Sequence, residues 1–82
     1  MAEDRHTRLN RLRWQSRRAL LELDLLLERF WLREEALVTE EDEAGLQQLL
    51  ALDDYALWAL VSGTEASDSK QLEKMVARIR QA

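Results

Sequence analysis

His6 is the only imidazole in the sequence, and there is no cysteine. A transition-metal site needs several converging nitrogen or sulfur donors, so His6 reads as a solvated side chain near the chain start. Without cysteine there is no disulfide and no thiolate chemistry. Ser16 has no histidine to serve as its base, so it lacks what a hydroxyl nucleophile requires. With only two glycines, no phosphate-cradling loop can be built. The 16 acidic residues could supply paired carboxylates, but such chemistry needs a cleft that perturbs their pKa values. Here the pattern puts them on outward helix faces. These residues point to a protein that binds rather than catalyses.

The charges are unevenly spread. Residues 1–20 carry six Arg against Glu3 and Asp4, for +4. Residues 21–68 carry 13 acids against Arg29 and Arg33, for −11, and residues 69–82 add +3, giving −4 in all. Basic ends around an acidic middle imply either internal pairing or a bipolar docking surface. The Arg-rich start alone resembles a phosphate-binding surface, but the acidic segments behind it repel nucleic acid, so none is expected as a partner. The run Glu40-Glu41-Asp42-Glu43 reads as the acidic first turn of a helix. Trp58 lies on an apolar face and is expected in the core. Trp14, set among Arg11, Arg13, Arg17 and Arg18, fits either the core or an exposed interface anchor, since Trp flanked by Arg is typical of binding hot spots.

The elements that must position these residues are helical throughout. The sequence has 82 residues, no proline and no period-2 β-branched pattern. That is one domain, 1–82, folded as an all-α compact bundle of about five short helices. The first is expected over about Asp4–Ser16 with Leu9 and Leu12 inward. The second spans about Leu21–Glu35, where Leu23, Leu26, Leu27 and Phe30 recur at helical spacing and Leu25, Trp31 and Leu32 widen the stripe, as suits a central helix packed on two sides. Thr39 caps the third, which buries Leu46, Leu49 and Leu50. Asp53 caps the fourth, with Leu57, Trp58, Leu60 and Val61, and Gly63 ends it in the left-handed conformation. Ser67 or Asp68 starts the fifth, carrying Leu72, Met75, Val76 and Ile79. Short loops imply near-antiparallel packing of consecutive helices. The first six residues lack the apolar core of a leader peptide, and no apolar run reaches the length of a membrane span. The expected location is a reducing cytoplasm, with no membrane insertion.

One stretch is distinctive: Arg17-Arg18-Ala19-Leu20-Leu21-Glu22-Leu23-Asp24, followed by Leu25-Leu26-Leu27-Glu28-Arg29-Phe30. It resembles the signature of the succinate dehydrogenase flavinylation factors (succinate dehydrogenase assembly factor 2), in which Arg-Arg-Gly is followed after two residues by Glu-Leu-Asp. An upstream Trp, Trp58-Ala59-Leu60 and a closing Ile79-Arg80 agree more loosely, and the resemblance spans about residues 8–82. Some bacterial members carry an antitoxin label. Two departures stand out: Ala19 replaces the motif glycine, and residues 64–68 lack the proline that many relatives have there. Because alanine resists positive φ, Ala19 implies either a more helical junction between the first two helices or a slightly different fit to the partner.

On its own, the Arg18/Glu22 spacing also suits a simple i, i+4 ion pair on a helix. The resemblance implies instead a binding surface for the flavoprotein subunit of succinate dehydrogenase, formed by Arg17, Arg18, Ala19, Glu22 and Asp24 with Trp14 beside them. It implies a monomeric factor that promotes covalent FAD attachment in that partner and binds no cofactor directly, and it leaves open whether fumarate reductase is also a client. The rival readings are a small nucleic-acid-associated or antitoxin-type regulator, and a helical module that self-associates through Trp14 and the second helix.

Overall fold

A computed structural model describes residues 4–82. The part of the leader-peptide reading that rests on residues 1–3, and the charge of Glu3, fall outside them. The chain forms α1 (Arg5–Gln15), α2 (Leu21–Glu34), a single 3₁₀ turn (Glu35–Leu37), α3 (Glu40–Leu50), α4 (Asp54–Val61) and α5 (Lys70–Arg80), with no strand among the described residues. This is the all-α bundle of five short helices expected from the sequence.

Local chemistry sets the boundaries. Asp4 caps α1 by accepting the Thr7 N–H at 2.8 Å. Thr39 and Asp42 form a reciprocal capping box at the start of α3, with the Asp42 N–H on Thr39 Oγ1 at 3.1 Å and the Thr39 N–H on Asp42 Oδ2 at 3.0 Å. Asp53 caps α4 through the Ala56 N–H at 2.8 Å. Gly63 follows α4 at φ +87°, a conformation that costs an L-residue about 1–2 kcal/mol. The cap of α5 is Ser69, one residue beyond the expected Asp68; the Ser67 N–H instead donates to the Glu73 carboxylate.

Among the described helices only α4 is followed by a glycine just past its cap, Gly63, and arginines satisfy several of the carbonyls left over at helix ends. Arg5 Nη2 donates to the Glu35 and Val38 carbonyls at 3.0 and 3.1 Å. Arg80 donates to the Val61 and Leu60 carbonyls at 2.8 and 2.9 Å. Arg18 does the same for α3, as described below. A guanidinium suits this role because it presents several fixed donors and carries the positive charge that a helix C-terminus favours.

One core runs through the molecule: Leu9 and Leu12 of α1, Leu23, Leu27 and Phe30 of α2, Leu46 and Leu49 of α3, Leu57 and Val61 of α4, and Met75, Val76 and Ile79 of α5. Trp58 and Leu60 are partly buried against it. Two expectations need correction. The most widely packed helix is α5, which lies against α2, α3 and α4, rather than α2. The closest pairs are also mostly non-consecutive: α1 with α3, α3 with α5, and α2 with α5. The apolar residues of α2 span more of its circumference than these neighbours cover. Leu23, Leu27, Phe30 and Trp31 turn inward, leaving Leu21, Leu25 and Leu32 at 66%, 42% and 76% exposure.

Candidate functional site: the α1–α2 junction

The distinctive stretch forms the bend between α1 and α2. Residues 17–20 are non-helical, so the more helical junction considered for Ala19 is not what forms. No non-glycine residue has positive φ among the described residues. Ala19 is exposed and does not have positive φ, so this bend does not call on the left-handed freedom of glycine.

Arg18 holds the bend together. Its guanidinium donates to the Leu50 carbonyl at 2.6 Å, the Leu52 carbonyl at 2.8 Å and the Gln15 carbonyl at 2.9 Å, and lies 3.5 Å from Asp54 Oδ1. It ties the end of α1 to the end of α3 and the start of α4. The side chain is only 9% exposed, and its Nε is buried without a hydrogen-bond partner. Arg18 stands outside any helix and does not pair with Glu22, so the i, i+4 ion pair does not form. Its main-chain N–H donates to Asp24 Oδ1 at 2.8 Å, and the Leu20 N–H donates to Asp54 Oδ2 at 3.0 Å. Carboxylates from α2 and α4 thus cap the backbone of the bend. Beneath it, buried Ser16 donates its hydroxyl to the Leu12 carbonyl and accepts the Trp31 indole N–H, both at 2.8 Å.

Around this anchored bend, the other residues face outward. Trp14 is 78% exposed, which decides between core and surface. The Arg17 side chain is 77% exposed and touches Asp24 Oδ1 loosely, at 3.4 Å. Glu22 is exposed in the first turn of α2, where the helix dipole favours an anion, and makes no ion pair or hydrogen bond among the described residues. The six residues singled out therefore share one junction but divide into two sets. Trp14, Arg17, Ala19 and Glu22 face solvent, while Arg18 and Asp24 are largely turned inward and fix the shape.

Sequence reasoning missed the inward set and the Ser16–Trp31 bond. Signals for both were present. A Trp within an apolar stripe needs a partner for its N–H. The last turn of α3 has no basic residue and no following glycine, so its carbonyls needed a donor from elsewhere.

The charge asymmetry resolves largely as internal pairing. Arg8 bonds Glu43 at 2.7 Å, Arg13 bonds Glu35 at 2.7 Å, and Arg78 bonds both Glu34 at 2.9 Å and Asp42 at 2.8 Å. Burial alone would raise the Asp42 carboxyl, but the Arg78 and Thr39 bonds outweigh it and hold it below its ordinary value. The Arg78 guanidinium is correspondingly raised: its bonds to Asp42 and Glu34 outweigh its own burial. These arginines serve the bundle rather than form a continuous basic surface. No group of three or more metal-type ligands converges among the described residues, and no helix there is long and apolar enough to cross a membrane.

Between α1 and α2 lies a depression of about 280 Å³ lined by Ser16, Arg17, Asp24, Glu28, Trp31 and Leu32, among others. A second hollow of about 430 Å³ lies beside Trp14, lined by Asn10, Arg13 and Arg17. Both are shallow and open to solvent rather than enclosed, so the junction is better suited to a protein surface than to a buried small molecule.

The architecture is thus that of a small helical domain displaying one rigidly held, outward-facing bend. Residues 10–82 match the family described as flavinator of succinate dehydrogenase, and the chain belongs to that family. Similar proteins include three named FAD assembly factor SdhE. That of Coxiella burnetii is 34% identical, covering 87% of each chain. That of Legionella pneumophila strain Paris is 39% identical, covering 87% of this chain and 89% of the relative. That of Ralstonia nicotianae is 45% identical, covering 71% of this chain and 60% of the relative. No solved structure matches the chain significantly.

Proposed function

We propose that this protein binds the immature flavoprotein subunit of succinate dehydrogenase and promotes covalent attachment of FAD to it, without catalysing the bond itself. The observation that carries the reading is the division of labour at the bend: Arg18 and Asp24 fix its backbone, and Trp14, Arg17, Ala19 and Glu22 are presented to solvent around it. An ordered, exposed surface of this kind lets a small domain bind without ordering a loop on contact. The family's description, flavinator of succinate dehydrogenase, points to the client, and its relatives' name, FAD assembly factor, to the group attached.

Forming a bond between protein and flavin requires the nucleophile, the flavin and stabilisation of the developing charge to be aligned. A helper without catalytic groups acts by favouring the client conformation in which they are aligned. Trp14 supplies apolar contact area, Arg17 charge-assisted hydrogen bonds, and Glu22 an anion with no partner of its own to give up. Arg18 and Asp24 contribute as positioning residues. FAD stays with the client, and the factor acts as a monomer. The reading takes the cytoplasm, a reducing compartment suited to a chain without disulfides, as its place of action.

The test is covalent flavin fluorescence of the flavoprotein subunit on a denaturing gel, with and without this protein. The expected result is an increase in the labelled band that falls sharply with Glu22→Ala or Arg17→Ala. No increase with a folded factor and a competent client would overturn the reading. The same gel run on fumarate reductase's flavoprotein decides whether it is a second client.

A further inference from the structure

Leu21, Leu25 and Leu32 project from α2 within about 40° of one another, at 100° per residue, with Glu28 in the same stripe. All three leucines are substantially exposed. Glu28 is exposed and makes no ion pair or hydrogen bond among the described residues. The stripe is continuous with the junction surface. Glu28 and Leu32 line the α1–α2 depression together with Arg13 and Arg17, and these two arginines also border the hollow beside Trp14. Apolar patches of a few hundred Å² on a monomer commonly mark interaction sites.

We infer that this stripe is a second part of the docking surface, occupied by an apolar segment of the same client that sets a basic side chain against Glu28. The inference rests on the proposed function above. Three observations favour this occupant. The stripe adjoins Arg17 across the α1–α2 depression, and Arg17 also borders the neighbouring hollow at Trp14. Glu28 is an unpaired anion at its centre and calls for a cation from the occupant. Three leucines and a glutamate on one helix also fall well short of the roughly 800 Å² per partner that a stable dimer buries, so the stripe is better suited to extending an interface than to forming one. Contact with a client helix would follow the usual spacing, with apolar anchors meeting α2 one and two turns apart.

Leu32 lies about 15 Å along the helix from Glu22, ten residues at 1.5 Å each, so the two parts of the surface can be tested separately. Client affinity is measured by titrating the purified flavoprotein subunit against the parent, Leu25→Glu/Leu32→Glu, Glu28→Lys, and Arg17→Ala/Glu22→Ala. Urea midpoints confirm that each variant is folded, as expected for exposed positions. The expected result is at least a tenfold loss of affinity for the double leucine variant and a salt-sensitive loss for Glu28→Lys. If the leucine variant binds like the parent while Arg17→Ala/Glu22→Ala is weakened, the stripe inference falls and the functional reading stands. If the parent itself does not bind the subunit, the functional reading falls with the inference. If it binds and none of the variants is weakened, the stripe inference falls and the docking surface lies elsewhere on the molecule. If sedimentation shows a micromolar dimer that the leucine variant disperses with client affinity unchanged, the stripe belongs to a second copy and the inference is overturned.

Discussion

Replacing Arg18 with alanine should unfold a large part of the molecule's stability margin, whereas replacing its neighbour Arg17 should not. Arg18→Ala removes donors from the carbonyls of Leu50, Leu52 and Gln15 and takes the guanidinium from beside Asp54. Hydrogen bonds from a charged donor contribute about 1.5–3 kcal/mol each, but the sum overstates the loss. Water can reach part of the vacated space. Asp54 keeps the Leu20 N–H. The variant also relieves the desolvation cost of the unpaired Nε. A net loss of about 2–4 kcal/mol remains, in line with removing one partner from a largely buried charge network. For 82 residues the total stability is roughly 4–12 kcal/mol, so this is a substantial fraction.

Urea unfolding followed by far-UV circular dichroism measures it. At a slope of about 1 kcal/mol/M, the Arg18→Ala midpoint should fall by roughly 2–4 M. Arg17→Ala, removing a 77% exposed side chain, should stay within about 0.5 kcal/mol of the parent. Arg18→Lys should fall between them, because one ammonium cannot span three carbonyls that a guanidinium fork reaches together. A parent-like Arg18→Ala midpoint, or equal losses at both arginines, would refute the assignment of Arg18 to the scaffold. The outcome bears on function too. If Arg18 acts by positioning, an osmolyte such as TMAO, which strengthens the folded state, should restore much of the flavin attachment lost in Arg18→Ala. It should restore none lost in Arg17→Ala.

Two further perturbations test the supports around the bend. Trp31→Phe deletes the indole N–H on Ser16 while Ser16 keeps the Leu12 carbonyl, so a loss of about 1 kcal/mol, or roughly 4–8 °C in Tm, is expected. An unchanged Tm would show that this bond contributes nothing net. The Asp42 carboxyl is held below its ordinary 3.8, so its charged form is favoured by folding. Its contribution is complete above that value and is lost as pH falls through the lowered folded-state value. Asp42→Asn should therefore cost about 1 kcal/mol at neutral pH, through the weakened capping box and the lost Arg78 pair, and should lose less further stability than the parent below pH 3.8. Equal acid sensitivity in the two proteins would remove Asp42 from that account.

How much of this was legible in the sequence follows from the range of the interactions. The helices were readable because their signals are local. Thr39 with Asp42, Asp53 with Ala56 and the periodicity of Leu72, Met75, Val76 and Ile79 all lie within one or two turns. The inner face of α2 could be read from its spacing, but the sequence did not say which neighbours would cover it. Leu25, Trp31 and Leu32 looked alike in one apolar stripe, yet Trp31 is buried and Leu32 is not. Trp31 is drawn under the α1–α2 bend, where its indole N–H meets Ser16, 15 residues back, a pairing that helical periodicity does not specify. Arg18 was misleading for the same reason. Its acceptors at and just beyond the end of α3 lie 32 and 34 residues away, whereas Glu22 is nearby in sequence and makes no bond to it.

The anchoring of the bend also accounts for how Ala19 is accommodated where the motif has glycine. A glycine at such a place would be demanded by positive φ or by close approach of another backbone. Here the bend is fixed on either side of residue 19: the Arg18 N–H is held by Asp24, the Leu20 N–H by Asp54, and the Arg18 side chain by three carbonyls. None of these bonds involves residue 19, whose side chain is simply exposed. The substitution therefore leaves the scaffold as it is and adds one methyl group to the outer surface between Arg17 and Glu22. Beyond the modest stabilisation, about 0.4–1 kcal/mol, that alanine brings over glycine by restricting the unfolded chain, its effect is exerted through contact with the client.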